Sequence, residues 1–245
     1  MSAGGDRSST RPHTTAVVLA GGTGTRIGAT VPKQLLELRG RPLLAYALET
    51  FDRSPVVDDI LVVMAADHVD AVRHWVRDAA LRKVTGVVPG GSTRSASARR
   101  ALAAIANAAG DVLIHDAARP FVTAEIIAAC SSALRSYDAV GTAVPSADTV
   151  VEAVDGVVTV IPSRDRMWRM QTPQAFHLRT IRAAHDLAAQ DAEFEPTDDC
   201  GVVLRYLPDV PVALVRGDEE NIKVTTPLDL QIADLIARRR ARSSS

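Results

Sequence analysis

Between Ala16 and Gln34 the chain reads AVVLAGGTGTRIGATVPKQ, an apolar run followed by Gly21, Gly22 and Gly24, then Arg26, and after a polar stretch Pro32 and Lys33. Backbone N–H groups can close on phosphate oxygens only where no Cβ intervenes, so such a loop suits a polyphosphate, and the two cations suit its charge. Two familiar phosphate loops can be tested against it. The dinucleotide fingerprint needs a third glycine at its sixth position, and the Walker loop needs Gly-Lys-Ser/Thr. Counting from Gly22, the sixth position is Ile27, while Lys33 is flanked by Pro32 and Gln34, so both patterns fail. A third design remains, a glycine loop with Arg26 and a downstream Lys33. On these residues alone, a glycine-rich strand-to-helix turn with solvated cations stands beside it.

Two further stretches carry chemistry. PGGSTRSAS, Pro89 to Ser97, lets Gly90 and Gly91 approach a ligand backbone-first while Arg94, Ser95 and Ser97 offer donors. A capped helix start explains the same residues. HDAARP, His115 to Pro120, ends an apolar run with an acid. Asp116 is the metal candidate, because hard cations such as Mg²⁺ take carboxylate oxygens and bridge phosphate oxygens. Arg119 can fork onto a phosphate, or simply pair with a surface acid. His115 reads as a strand-end packing residue. There is no G-x-S-x-G and no H-E-x-x-H, and the six histidines are scattered, so serine acyl transfer and zinc hydrolysis lack their signatures. Two glycine loops, a metal-ready acid and several cations suit transfer at phosphorus, where stabilisation is electrostatic and positional.

The basic residues sharpen this reading. Only Lys33, Lys83 and Lys223 of 28 are lysine. A chain so biased towards arginine that still places lysine at a site needs a compact point charge there, which points to Lys33 and Lys223. Lys83 has the surface reading.

The elements that must position these residues alternate. Strand-like runs at 16–20, 60–65, 84–88, 111–115 and 139–144 are interleaved with helical stretches at 43–51, 68–81, 95–109 and 123–136. Apolar strands without polar alternation, each followed by a helix, indicate a doubly wound, mostly parallel α/β sheet covered on both faces. Ligands then sit beyond the carboxyl ends of the strands, where all three motifs fall. The pattern breaks at TVVEAV-Asp155-Gly156-VVTVIP, a hairpin by its turn dipeptide, read either as a protruding arm at a dimer contact or as an antiparallel edge of the main sheet. RDRMWRMQTPQAF, 164–176, reads as an arginine-rich segment with an X-Pro turn. A helix at 178–190, a cap at Thr197 or Asp198, a strand at 211–215 and a final helix opened by Pro227 complete the chain. With 245 residues, 47% hydrophobic, the chain can bury the core of one domain. A net charge of −1 gives no general attraction to nucleic acid or membrane. Cys130 and Cys200 form neither a disulfide framework nor a zinc pattern, and a cytoplasmic location fits.

LAGGTGTRIGATVPKQ, PGGSTRSAS, HDAARP, TPQ and NIKVT, in this order and spacing, resemble the 2-C-methyl-D-erythritol 4-phosphate cytidylyltransferases. The resemblance implies a Rossmann-like nucleotidyltransferase (GT-A-like) domain over 14–237 with a hairpin arm at about 146–172, while the Ser-, Gly- and Arg-rich start and the basic end read by composition as disordered tails at 1–13 and 238–245. It implies CTP, Mg²⁺, attack of a sugar-alcohol phosphate on the α-phosphorus, and a homodimer. Carried over by position, Ala20, Gly21, Gly22, Gly24, Arg26 and Lys33 are the expected triphosphate residues, and Gly91, Arg94 and Ser97 surround cytosine and ribose. Asp116 is the expected metal ligand, assisted by Glu219 or Glu220, and Lys223 is the cation beside the α-phosphate. Thr149, Arg164, Thr172 and Thr197 are expected on the sugar-phosphate side, with Thr149 and Arg164 reaching in from the partner subunit, and Arg119 joins the substrate-binding residues by its phosphate fork. Gly21 departs from a common alanine and Ser92 from a common acid. The related ribitol-5-phosphate cytidylyltransferases share much of this set. A nucleotide-sensing module without turnover is the reading from another class.

Overall fold

The computed structural model describes residues 11–22, 32–106, 109–191, 193–194 and 196–243. In chain order the elements are β1 (Thr14–Ala20), β2 (Glu37–Leu38), β3 (Arg41–Pro42), α1 (Leu43–Arg53), β4 (Asp59–Met64), α2 (Val69–Asp78), β5 (Val84–Pro89), α3 (Arg94–Ala104), β6 (Asp111–Asp116), α4 (Ala124–Ala133) and β7 (Ala139–Pro145). They continue with β8 (Glu152–Val154), β9 (Val157–Val160), β10 (Trp168–His177), α5 (Leu178–Ala188), α6 (Asp199–Tyr206), β11 (Val212–Arg216) and α7 (Pro227–Ser243).

Seven strands form the central sheet in the order β11-β7-β10-β6-β1-β4-β5, and β10 alone runs antiparallel to its neighbours. The doubly wound, mostly parallel α/β expectation therefore holds. β1 is buried along its whole length. Its alternate residues serve opposite layers: Ala16, Val18 and Ala20 pack with Leu48, Phe51, Val72 and Ile127 from α1, α2 and α4, and Val17 and Leu19 pack with Ala98, Leu102, Ile181 and Val203 from α3, α5 and α6. This two-sided burial is why the strands read as continuous apolar runs. The chain leaves β1 towards β4 and β5 and later returns to its other side as β6, so the switch of direction lies between β1 and β6. Such a point opens a crevice at the strand carboxyl ends.

β10 is absent from the sequence-based expectation, which read 164–176 as a segment with a turn. It is nevertheless a central strand. Its register shifts between Gln171 and Gln174, where Thr172-Pro173 is a cis peptide. Proline cannot donate to a ladder and is tolerated inside a sheet at such irregularities. The polar side chains that hid the strand are consumed by its neighbours. Gln171 exchanges hydrogen bonds with the backbone of Asp218, and Gln174 accepts from Asp199 N and Cys200 N.

The hairpin forms its own two-stranded sheet, β8 with β9, and is not an edge of the main one. Asp155 and Gly156 take positive φ at its turn, as the dipeptide predicts. Val154, Val157, Val158, Val160 and Ile161 are exposed along it. Asp198, not Thr197, caps α6 by accepting from Gly201 N at 2.7 Å. The expected disordered tail from 238 is corrected for its first six residues. α7 runs to Ser243, seated by Ala233, Ile236 and Ala237 against Leu38, Leu43, Phe121 and Val224. Lys83 is half-buried, its Nζ donating to Ser54 O at 2.5 Å, where a surface position was expected. Both cysteines are free and buried. No described helix is long and apolar enough to cross a membrane.

Candidate active site

A cavity of about 300 Å³ opens at the carboxyl ends of β1, β5 and β6 and is lined in part by Gly21, Gly22, Lys33, Gly91, Arg94, Ser97, Asp116 and Lys223. All three sequence stretches thus meet at one place. Parallel pairing does this directly, because Leu19 stands beside Asp116 across β1 and β6 and Met64 beside Pro89 across β4 and β5. Gly24 and Arg26 lie outside the described residues. Ala20 is fully buried at the end of β1.

The loop after β5 is built around Gly91. A Cβ there would lie 2.4 Å from Ala96 Cβ and 2.9 Å from Ala96 C, so only glycine fits. Its N–H donates to Ser97 Oγ at 3.0 Å, and Ser97 donates in turn to Thr93 O at 2.9 Å. Thr93 caps α3 by accepting from Ala96 N. The capped turn expected on sequence is present, and the same loop lines the cavity. Lys33 sits on a short 3-10 turn, Lys33–Leu35, held by Leu35 N donating to Pro32 O at 2.8 Å.

Asp116 ends β6 and is the electrostatic centre. Its Oδ1 accepts from Arg94 Nε at 3.1 Å and its Oδ2 from Lys223 Nζ at 2.7 Å. Burial alone would raise its pKa, but Arg94 and Lys223 outweigh it and hold the carboxyl well below the usual range. Arg94 continues the chain of charges to Asp199, its Nη1 donating to Oδ2 at 2.7 Å. Burial opposes its charge, and Asp199 and Asp116 together reverse that and raise its pKa.

Lys223 is placed by a pinned loop. Asn221, fully buried, donates through Nδ2 to Thr172 O at 2.9 Å, and Val224 N donates to Ala118 O at 2.8 Å. Arg119 braces the same loop. Its guanidinium donates to Asn221 O at 2.7 Å and Met170 O at 3.2 Å, so the fork expected for phosphate is spent on two carbonyls. Thr172, expected on the substrate side, is buried, and its Oγ1 accepts from Asp116 N at 3.0 Å and pairs with His115 Nδ1 at 3.0 Å. His115 Nε2 pairs with Arg119 O at 3.0 Å. Burial pushes the His115 pKa down to about 4, partly opposed by that carbonyl, so the ring is neutral and both nitrogens are engaged. The packing role expected for it stands.

Thr149, Arg164 and Thr197 are exposed and do not line the cavity in this chain. Glu219 pairs with Arg169 at 2.5 Å, and Glu220 faces Arg239 and Arg240 of α7, so neither carboxylate touches Asp116. No cluster of three metal-ligating side chains occurs among the described residues. Sequence reasoning gave no role to Asp199, His185 or Gln174, although Gln174 stands in the TPQ motif. The Asp198-Asp199 pair was a visible signal, but a helix start accounts for two acids without further burial.

Comparison with known proteins agrees with this geometry. The family model for 2-C-methyl-D-erythritol 4-phosphate cytidylyltransferase matches residues 14–239. A protein of that name from Thermobifida fusca is 45% identical over 93% of this chain and 94% of its own length. Another from Geobacter metallireducens is 44% identical over 89% of this chain and 95% of its own. The bifunctional ribulose 5-phosphate reductase/CDP-ribitol pyrophosphorylase of Haemophilus influenzae is 36% identical over 93% of this chain and 49% of its own length. Among solved structures, 4-diphosphocytidyl-2C-methyl-D-erythritol synthase from Anaerococcus prevotii superposes with a TM-score of 0.81 at 32% identity, covering 94% of this chain and all of that one. The sheet with its single antiparallel strand, the cavity and these matches place the chain in the 2-C-methyl-D-erythritol 4-phosphate cytidylyltransferase family.

Proposed function

We propose that the protein transfers CMP from CTP to 2-C-methyl-D-erythritol 4-phosphate, releasing pyrophosphate, as a step of isoprenoid biosynthesis. The observation that carries this reading is the Arg94–Asp116–Lys223 cluster set between two glycine loops. A phosphate monoester is largely ionised near neutral pH, so its oxygen can attack the α-phosphorus without a protein nucleophile. The new P–O–P bond forms as the bond to pyrophosphate breaks. Lys33 and Lys223 neutralise charge gathering on the phosphates, Gly21 and Gly22 let backbone N–H groups approach, and Gly91, Arg94 and Ser97 border the cytosine and ribose. His115 is fully buried, is absent from the cavity lining and has both ring nitrogens engaged, so it is not placed to take a proton from a substrate. Arg26 completes the triphosphate loop in this reading.

Asp116 suits Mg²⁺, which takes one or two carboxylates and fills its remaining sites from substrate phosphates and water. Asp116, the carboxylate among the described residues lining the cavity, would be the protein's ligand to the ion, with Arg94 and Lys223 yielding part of their hold on it, and the ion would supply charge neutralisation and polarise the phosphates. Thr149 and Arg164 belong to the sugar-phosphate side across a homodimer, with Thr197 near it. The exposed valines of β8 and β9 support such a contact, since an isolated hairpin is marginal without a second surface. Deleting residues 150–160 is expected to halve the mass by light scattering, and an unchanged mass would refute the arm as the contact. The two free, buried thiols support a cytoplasmic setting.

The substrate is tested by pyrophosphate release from CTP and Mg²⁺ with methylerythritol phosphate or ribitol 5-phosphate. A higher kcat/KM for methylerythritol phosphate is expected. Preference for ribitol 5-phosphate would reassign the substrate, and CTP binding without pyrophosphate under either would mark a sensing module.

A further inference from the structure

Arg94 is held by two carboxylates, and only one of them, Asp116, lines the cavity. The other, Asp199, is fully buried behind it. Asp199 opens α6, its backbone N donates to Gln174 Oε1 at 3.0 Å, its Oδ1 pairs with His185 Nε2 at 3.0 Å, and its Oδ2 takes Arg94 Nη1. A carboxylate withdrawn from water is kept only where its partners repay its hydration, and here α3 supplies Arg94 and α5 His185, while β10 holds the backbone beneath it through Gln174. The guanidinium is thereby stretched between β6 and α6. Without the charge of Asp199, Asp116 is its sole remaining carboxylate partner among the described residues, and Arg94 would draw in on it and compete with Lys223.

We propose that Asp199, backed by His185, is a positioning residue for nucleotide binding that holds Arg94 out along the cavity wall and away from full pairing with Asp116. The inference rests on the CTP reading above. It also ties the nucleotide wall to the loop carrying Thr197, two residues before Asp199, which the proposed function places near the sugar phosphate.

The test is calorimetric titration of CTP with Mg²⁺ into the natural chain and into Asp199→Asn, Asp199→Glu, Arg94→Met and the Arg94→Met/Asp199→Asn double variant. Loss of one charge-assisted hydrogen bond's worth of positioning predicts a Kd about 10-fold weaker for Asp199→Asn, with Asp199→Glu within about 3-fold of the natural chain. If Asp199 acts through Arg94, the Asn substitution adds less than about 2-fold in the Arg94→Met background. Unchanged CTP affinity in Asp199→Asn, a full multiplicative loss in the double variant, or Asp199→Glu as weak as Asp199→Asn would each overturn the proposal. Should Asp199→Asn fail to fold by circular dichroism, His185→Gln is read in the same cycle. A loss of about 3-fold that vanishes in the Arg94→Met background is then expected, and no loss overturns the proposal. A natural chain that binds CTP and releases pyrophosphate beside an unaffected Asp199→Asn sinks this inference alone. A natural chain that binds no CTP sinks the functional reading with it.

Discussion

Replacing Asp116 with asparagine tests the centre of the site, because the two side chains are nearly isosteric and only the charge is lost. Removing one partner of a buried ion pair costs ~3–5 kcal/mol where it strands the other charge. Neither cation is stranded here. Arg94 retains Asp199 at 2.7 Å, and the Lys223 side chain is 40% exposed and can be hydrated. The amide also keeps one acceptor, so a cost of about 2 kcal/mol is expected, below the stranded case. For a chain of this size that lowers the unfolding midpoint by about 4–8 °C. Pyrophosphate release should fall about 100-fold or more, the range for losing one preorganised charged group. The pH dependence carries a sign. Burial would raise the Asp116 pKa, but Arg94 and Lys223 lower it beneath its unfolded value. Its stabilisation is therefore present at neutral pH and is lost as pH falls below about 4 towards the folded value. The gap between Asp116→Asn and the natural chain should be constant near neutrality and close in acid. Thermal unfolding across pH, with a coupled pyrophosphate assay, measures both effects. A variant with the natural midpoint and natural turnover would refute the placing of Asp116 between two cations.

Lys33→Ala should cut kcat about 100-fold with circular dichroism unchanged, and undiminished pyrophosphate release would remove Lys33 from the chemistry. Gly91→Ala forces a methyl against Ala96 and should cost about 1–3 kcal/mol, with CTP affinity falling alongside; chemical denaturation and titration check it, and a neutral substitution would mean the loop can yield. His115 has a folded pKa near 4 against an unfolded value of about 6.5, so the unfolded chain binds the extra proton and stability falls as pH drops between them, by about 3 kcal/mol in all. His115→Gln should flatten that part of the profile in urea titrations, and parallel profiles would contradict the buried neutral ring. Thr93→Ala removes the α3 cap and should cost about 1 kcal/mol, read as a lower urea midpoint at unchanged slope; an unaltered midpoint would show that the cap contributes nothing.

The parts of the fold legible in the sequence are those whose signal is local. The apolar runs of β1, β4 and β6 mark strands buried on both faces, and Gly90-Gly91 and Asp155-Gly156 mark close approach and a positive-φ turn within a few residues of the atoms that demand them. β10 was not legible, because its signal is inverted. Pro173 and the polar side chains of Gln171 and Gln174 argue against a strand until Asp218, Asp199 and Cys200 arrive to take their hydrogen bonds. The hairpin's separation from the main sheet was equally undecidable, since the same alternation suits an edge or an arm.

The site divides in the same way. The residue types in the glycine loops, Asp116, Lys33 and Lys223 together pointed to phosphate chemistry, although each loop read alone also suited a plain turn or capped helix start. Which charges meet was decided only by tertiary structure. Arg94 and Asp199 are 105 residues apart in sequence and Asp116 and Lys223 107, and no local rule pairs them. Thr172 and Arg119, expected to face a substrate, are turned to hold Asp116 and Asn221. Pairing and pKa depend on burial and distance, and those exist only once the sheet has brought the strand ends together.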